Sequence, residues 1–363
     1  MPIPKSAVDV ISPAFEHTKR QLFQPFRLGN WTRLAVIAVL TGEFLGAGWN
    51  GPSNINIRGG SSEPEQKFRL LTEKGPTPDQ IVAALTKYLP WILVGVVALA
   101  CLAIVWMYVE SVFRFVLFDA VLRSKYGIRA GWRRWRQAGS WFVLWQFGLS
   151  TVELAIIGLI AGLPALLLWR AGTFDRPADH FGTLFGVAAL AFAGVMLVAV
   201  AGGLVQSLAK DLVVPVMAME NVRVLEGWRR LWRMMRPEKS AYVIYVLMKI
   251  VLGLGSAILF GTAGAVVFIA LLIPVGLAGG ALIVLGKAWG LAWNEYTIGA
   301  AVVLGAIGLL AIFYVMGMVY APGMVFFQAY ALHFLGARYP VLGAELPRGP
   351  GPVAGPIESS ISS

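Results

Sequence analysis

The chain has 363 residues, of which 58% are hydrophobic and 13% charged, and its formal net charge is +11. Soluble domains carry about a quarter of charged residues, so this composition excludes an ordinary soluble protein. The single cysteine, Cys101, excludes an internal disulfide and a cysteine-based metal site. The apolar residues lie in runs longer than the roughly 18 that cross a bilayer. The sequence therefore predicts an all-α, polytopic membrane helical bundle.

The N-terminal segment, residues 1–33, is predicted to form an amphipathic helix at the cytoplasmic membrane surface. The first predicted span, 34–49, is short and contains Glu43. A loop rich in Gly, Pro, Ser and Asn follows at 50–89, where basic and acidic residues nearly balance. The second span begins at Pro90 and continues past residue 116.

The second part of the chain begins with an arginine-rich segment at 124–139. A third span is predicted over 141–169 and a short loop over 170–182. The fourth span starts near Thr183 and is expected to continue beyond Val205 as a helix in the aqueous zone.

The third part repeats this order, beginning with basic residues at 220–240. The apolar stretch 241–273 is longer than one span requires, which indicates a tilted helix or a break near Pro274. Residues 276–297 are predicted to be an interfacial or re-entrant connection. The sixth span covers 298–334.

An internal repeat relates the two arginine-rich segments at a shift of 96 residues. Gly131-Trp132-Arg133-Arg134 aligns with Gly227-Trp228-Arg229-Arg230 without a gap. Parallel repeats of this kind underlie many membrane folds. The prediction is a threefold repeat of an amphipathic helix followed by a hairpin. Its parts are the cytoplasmic segment 1–33, the first hairpin 34–123, the second unit 124–220, the third unit 221–346 and a disordered tail at 347–363.

Positively charged residues flank membrane spans mainly on the cytoplasmic side. Basic residues cluster in the N-terminal segment, at 123–136 and at 223–239, whereas the loops between them are nearly balanced. About six spans with both termini in the cytoplasm satisfy this pattern.

Polar residues inside apolar runs are the first group of candidate site residues, because charge near the middle of a bilayer is costly. We expect Glu110 to pair with Arg114 one turn later, and Lys210 and Asp211 to snorkel at the inner interface. Glu153 and Lys249 align in the repeat and are expected to face the bundle interior and pair. Such a pair serves either as a structural ion pair or in a proton or solute pathway. The full group is Glu43, Glu110, Arg114, Glu153, Gln206, Lys210, Asp211 and Lys249.

Tryptophan and arginine residues of the two basic segments are the second group. Amphipathic helices of this composition lie at headgroup depth, with arginines on lipid phosphates. They serve either as topology markers or in the recognition of anionic headgroups at the cytoplasmic face. The group is Trp132, Arg133, Arg134, Arg136, Trp228, Arg229, Arg230, Arg233 and Arg236.

The segments Ile11-Ser12-Pro13-Ala14-Phe15-Glu16-His17-Thr18-Lys19 and Gly227-Trp228-Arg229-Arg230-Leu231-Trp232-Arg233 resemble those of an uncharacterised family of bacterial multi-pass membrane proteins. The layout is distantly similar to the membrane domain attached to some glycerophosphodiester phosphodiesterases. The resemblance implies a bacterial cytoplasmic-membrane protein. It implies no reaction, because the diesterase activity of such fusions belongs to a separate soluble domain.

No catalytic motif, metal spacing or phosphate-binding glycine loop is recognisable. We therefore expect a non-enzyme without cofactors, whose partners are membrane lipids and not nucleic acid. Transport or lipid handling is the first functional hypothesis, and a membrane scaffold is the alternative. An intramembrane enzyme using Glu43, Glu110 or Glu153 as acid or base is the third.

Overall fold

The computed structural model describes residues 6–24, 26–42, 78–174, 179–288 and 295–346. Within them every regular element is a helix, which confirms the predicted fold class. The α-helices of these segments are α1 (Ile11–Phe23), α2 (Leu28–Leu40), α3 (Pro78–Arg123), α4 (Ile128–Arg170), α5 (Phe181–Leu208), α6 (Val214–Glu220), α7 (Val224–Met235), α8 (Lys239–Ala288), α9 (Glu295–Gly336) and α10 (Pro340–Glu345). A π turn (Ala209–Val213) joins α5 to α6, and a 3₁₀ turn (Arg236–Glu238) joins α7 to α8.

Five helices of the described segments are long and apolar enough to cross a membrane. They lie in α3, α4, α5–α6, α7–α8 and α9. Helix α3 has 46 residues, which at 1.5 Å per residue is about 69 Å, whereas the hydrocarbon core is about 30 Å thick. Such helices extend well beyond the bilayer. The first predicted span starts inside α2, but its second half lies outside the described residues, so the count of six stays a prediction.

Of the two alternatives for the stretch 241–273, the break near Pro274 is not observed. Helix α8 runs through Pro274 to Ala288, so most of the predicted interfacial connection is helical. A proline removes one backbone hydrogen bond, whereas unwinding the chain in hydrocarbon would leave several backbone groups without partners. A helix through the proline is therefore the cheaper solution.

One end of the bundle is densely packed, and we call it the packed end. Its centre consists of the C-terminal parts of three long helical segments. These are residues 112–122 of α3, 209–218 of the π turn and α6, and 321–335 of α9. These three segments contact one another pairwise. Helices α1, α2, α7 and α10 and the first turns of α4 surround them. Both arginine-rich segments therefore lie at the same end of the molecule.

The opposite part of the long helices, the open end, has little internal packing. Here α4 packs on α5 and α8 on α9, each forming a hairpin. Large apolar side chains such as Leu99, Leu154 and Leu190 are at least 67% exposed. Exposed apolar surface on this scale requires an apolar solvent, which supports the membrane assignment.

Helices α3 and α6 are each followed by a residue with a left-handed backbone conformation. Ser124 (φ 54°) follows α3 and Asn221 (φ 52°) follows α6, and they are the only non-glycine residues of the described segments with positive φ. Left-handed residues are common helix ends because they free the chain to change direction. The predicted unit boundaries at 124 and 221 coincide with these two residues. The threefold repeat itself stays a prediction.

The repeated glycines allow each basic segment to fold back onto the preceding helix. A Cβ atom on Gly131 would lie 2.9 Å from Val116 Cγ2, and one on Gly227 would lie 2.8 Å from Val213 Cγ1. Both distances are too short for any larger residue without movement of the neighbour. The Gly-Trp-Arg-Arg repeat thus has a packing cause.

The two basic segments differ in how they continue. In the third unit, α7 ends at a 3₁₀ turn containing Pro237. In the second unit, the basic segment is continuous with the span, since α4 is one helix of 43 residues. The basic amphipathic segment of the second unit is therefore the first part of α4 and not a helix of its own.

Candidate functional site

Five charged side chains meet inside the packed end, and we call them the polar cluster: Glu110, Arg114, Lys210, Asp211 and Lys249. All five belong to the predicted group of intramembrane polar residues. Helix α3 supplies the first two, the π turn the next two, and α8 the last. The cluster therefore joins helices from all three predicted units.

Asp211 is the centre of the cluster. Its carboxylate is in ion pairs with Lys249 and, at 3.6 Å, with Arg114. The Tyr245 hydroxyl donates a hydrogen bond to Oδ2 of Asp211 over 2.9 Å. Asp211 and Arg114 are 7% and 4% exposed. Burying charge at this depth is tolerated only with such partners, because an isolated buried ion costs several kcal/mol.

A second ion pair joins α3 to the π turn. Lys210 Nζ lies 2.6 Å from Glu110 Oε1, and the Lys210 side chain is 5% exposed. The hydroxyl of Ser207 accepts a hydrogen bond from Lys249 over 2.8 Å. Through these contacts α3, the π turn and α8 are held by charges rather than by apolar packing alone.

Two consecutive charges of the π turn have different partners. All five residues of this turn are buried, including Lys210 and Asp211. Lys210 pairs with Glu110 of α3, while Asp211 contacts both Lys249 of α8 and Arg114 of α3.

Several predicted partnerships are wrong. Glu110 pairs with Lys210 instead of Arg114, and Lys210 and Asp211 are buried and paired instead of snorkelling. Lys249 bonds Asp211 and Ser207 instead of Glu153. Both observed pairs use residues of the π turn, Lys210 and Asp211, in place of the partners expected from the sequence.

Glu153 and Gln206 take no part in the ion pairs of the cluster. Glu153 packs against Gly202 of α5, and Gln206 is partly buried just before the π turn. Glu43 lies outside the described residues. The preceding residue, Gly42, lies beside Glu110. A Cβ atom added to Gly42 would lie 3.7 Å from the carboxyl carbon of Glu110.

Sequence reasoning missed two polar residues of the packed end, Asp119 and Gln146. The Asp119 carboxylate accepts a 2.7 Å hydrogen bond from the Trp135 indole and pairs with Arg123 at 3.0 Å. Gln146 accepts a 3.3 Å hydrogen bond from Ser111. Asp119 is a charged residue within an apolar run, and this pattern could have identified it from the sequence. No sequence pattern points to Gln146.

The predicted headgroup residues fall into two groups. Arg230 pairs with Glu220 and Glu226, Arg134 lies 3.6 Å from Asp119, and Trp132 and Trp228 stack on other aromatic rings of the packed end. These four belong to the protein's own packing. The exposed members, which face away from the core, are Arg133, Arg136, Arg229, Arg233 and Arg236.

Aromatic and cation–π contacts join the basic segment 220–240 to α4 just after the basic segment 124–139. The Trp145 and Trp228 ring centroids are 6.0 Å apart, and the Arg223 guanidinium lies 4.3 Å from the centroid of the Trp141 ring. Trp141 and Trp145 follow the first basic segment directly on α4, so the exposed arginines of both segments lie at the packed end, and we call them the collar. Within the described segments no three His, Cys, Asp or Glu side chains are grouped as metal ligands.

Residues 5–344 match a protein family described as a family of unknown function, DUF7544. The chain belongs to DUF7544. This agrees with the predicted resemblance to an uncharacterised family, and it says nothing about the glycerophosphodiester phosphodiesterase domain. No curated protein and no solved structure is significantly similar to the chain.

The function of DUF7544 is unknown. The polar cluster and the collar are therefore the features from which a function can be argued. The match spans nearly the whole chain. The cluster, the collar and the open end therefore all lie within the family's extent.

Proposed function

We propose that this DUF7544 protein handles lipids or lipid-like solutes, moving them between the two leaflets of a membrane. The observation that carries the proposal is the polar cluster between helices of different units. Charged residues within spanning segments are expensive and by default mark a pathway or a gate. Here they close the packed end.

The arrangement of the hairpins supports lipid as the substrate class. Above the cluster the apolar flanks of α4, α5 and α8 are exposed, so acyl chains can lie between the hairpins. An open apolar groove of about 450 Å³ at the far end of α4 is lined by Gly162, Leu166, Trp169 and Phe174, among others. The arginine collar would collect anionic headgroups at the other face.

The membrane and the orientation belong to the same proposal. The positive-inside pattern favours the packed end on the cytoplasmic side of a bacterial inner membrane. The proposed likeness to the membrane domain of some glycerophosphodiester phosphodiesterases points in the same direction, since glycerophosphodiesters are the headgroup part of phospholipids. No catalytic step is part of the proposal.

Reconstitution into vesicles with fluorescent phospholipids tests lipid movement. Dithionite added outside bleaches only outer-leaflet lipid, so complete bleaching reports exchange between leaflets. We expect exchange faster than in protein-free vesicles. The paired variant Asp211→Asn with Lys249→Met should accelerate it severalfold, because it removes two charges from the gate. Bleaching that stops at the outer leaflet for both proteins would contradict lipid movement.

Headgroup recognition is tested separately at the collar. Replacing Arg229, Arg233 and Arg236 together by glutamine should weaken binding to anionic vesicles by about fivefold per residue, the equivalent of about 1 kcal/mol each. Binding to phosphatidylcholine vesicles is the control and should not change. Equal affinity of the wild type and the triple variant for anionic vesicles would leave the arginines as topology markers.

A membrane scaffold is the alternative, and the dense core of the packed end favours it. In that case Asp211 and Lys249 only fix the helices. Their loss would reduce stability while dithionite bleaching stayed at the protein-free level.

A further inference from the structure

Glu153 is isolated from every other charge of its own helix. The nearest charged residues on α4 are Arg136 and Arg170, each 17 positions away. At 1.5 Å per residue each lies about 25 Å from Glu153. The carboxyl group therefore stands in the middle of the span.

The helices packed against α4 offer the carboxyl group no cation at its level. Helix α5 contains no charged residue. Helix α3 runs antiparallel to α4, and the Ser111–Gln146 hydrogen bond sets their register. Glu153 is thus level with the residues around Ile104, inside the stretch 88–109 that contains no charge.

Two lysines of the polar cluster lie on the packed-end side of this region. Lys249 of α8 bonds Ser207, which lies five residues beyond Gly202 on α5. Lys210 of the π turn bonds Glu110. Both ammonium groups are thus held by other partners below the level of Glu153.

The immediate surroundings of the carboxyl group are apolar and close. A Cβ atom on Gly202 would collide with the Glu153 carboxyl group, so the glycine provides the space that it occupies. Oε1 of Glu153 is fully enclosed and has no hydrogen-bond partner among the described residues. The other carboxylates of the polar cluster, Glu110 and Asp211, each have a cationic partner.

We propose that Glu153 is a proton-binding site, and that its carboxyl group holds a proton at neutral pH. An unpaired carboxylate in hydrocarbon costs far more free energy than a neutral carboxylic acid, so the group takes up a proton instead. The ligand is the proton itself. This inference does not rest on lipid movement, because it follows from the local surroundings alone.

Labelling with dicyclohexylcarbodiimide tests the site in the full-length protein in detergent or vesicles. This apolar reagent adds to protonated carboxyl groups within membranes, and peptide mass spectrometry locates the adduct. We expect an adduct at Glu153 at neutral pH that declines as the pH is raised. Glu110 and Asp211 are internal controls and should stay unmodified, because each carboxylate is in direct contact with a lysine ammonium group.

Infrared spectroscopy provides a second readout that does not depend on reagent access. The carbonyl band of a protonated carboxyl group should be present in the wild type and absent in Glu153→Gln. The glutamine variant should keep the wild-type stability, because a neutral amide resembles the protonated acid in size. Absence of both the adduct and the band at neutral pH would overturn the proposal, whatever the outcome of the lipid assay.

Discussion

The two ends of the long helices solve different problems. At the packed end, charges and aromatic rings from different units find partners in one another, and little surface is left to a solvent. At the open end, apolar side chains cover each hairpin, and the bilayer takes the place of a partner helix. The difference teaches that specific geometry is concentrated at one face, where single substitutions should matter most.

The largest effect is expected at Asp211. The variant Asp211→Asn leaves Lys249 without its carboxylate and removes an ion-pair partner of Arg114. Breaking a buried pair costs about 3–5 kcal/mol because the remaining charge stays buried. Unfolding in mixed micelles with increasing dodecyl sulfate measures the loss. Glu226→Gln on α7 is the control, because its ion pairs with Arg229 and Arg230 are partly exposed and such pairs contribute about 1 kcal/mol or less.

A pair of glycines on α4 tests the contrast between the ends within one helix. A Cβ atom on Gly139 would lie 3.0 Å from the Val112 Cα, whereas one on Gly148 meets nothing within 4 Å. We expect Gly139→Ala to destabilise by about 1–3 kcal/mol, since the backbone of α3 would have to move. Gly148→Ala should be neutral or slightly stabilising. Equal thermal unfolding temperatures for the two variants would show that the close approach is unimportant.

The contact of α1 with α9 should depend on pH. His17 Nε2 lies 3.0 Å from the Val121 carbonyl oxygen and must donate to it, so Nδ1 accepts from His333 Nε2 over 3.2 Å. Burial, reinforced by the nearby Arg20, lowers the pKa of His17 below its ordinary 6.5. Protonation would turn the Nδ1 acceptor into a donor.

The sign of this dependence follows from linkage. Below pH 6.5 the unfolded chain binds the proton before the folded protein does, so stability should fall on acidification and stay constant above pH 7. His17→Gln should flatten the profile of thermal unfolding between pH 5 and pH 7, at a cost of about 1 kcal/mol for the altered hydrogen bonds. His180→Gln, at an exposed site, is the matched control and should leave the profile unchanged.

The smallest effect is expected where α10 is fastened to α3. Arg123 Nε bonds Glu345 at 2.8 Å, and this bond lowers the pKa of the Glu345 carboxyl group below its ordinary 4.5. Its contribution is therefore complete above pH 4.5 and is lost as the pH falls further. Glu345→Gln should cost less than about 1 kcal/mol because the pair is partly exposed. A difference in unfolding temperature as large as that of Asp211→Asn would refute the contrast between buried and exposed pairs.

Hydrophobic runs predicted the helices well, because length and composition alone decide what can cross hydrocarbon. The same rule singled out all five residues of the polar cluster, since each is a charge in an apolar run. Both predictions need only the one-dimensional sequence.

Partner choice could not be predicted, because it depends on register. Lys210 pairs with Glu110 and Asp211 pairs with Lys249. Lys210 and Asp211 both lie in the π turn Ala209–Val213, for which the sequence contains no signal. The continuity of α4 was missed for a related reason. A basic amphipathic segment can either lie flat or extend a span, and the choice is made by its packing on α3.

Because α4 is one continuous helix, it connects distant parts of the molecule. It is about 64 Å long by its 43 residues, and it carries an arginine of the collar near one end, Glu153 at its middle and Trp169 of the groove at the other. Pro164 lies between Glu153 and Trp169 and removes one backbone hydrogen bond, so α4 is continuous there without being rigid. One helix thus connects the collar, the isolated carboxyl group and the groove on the two sides of the membrane.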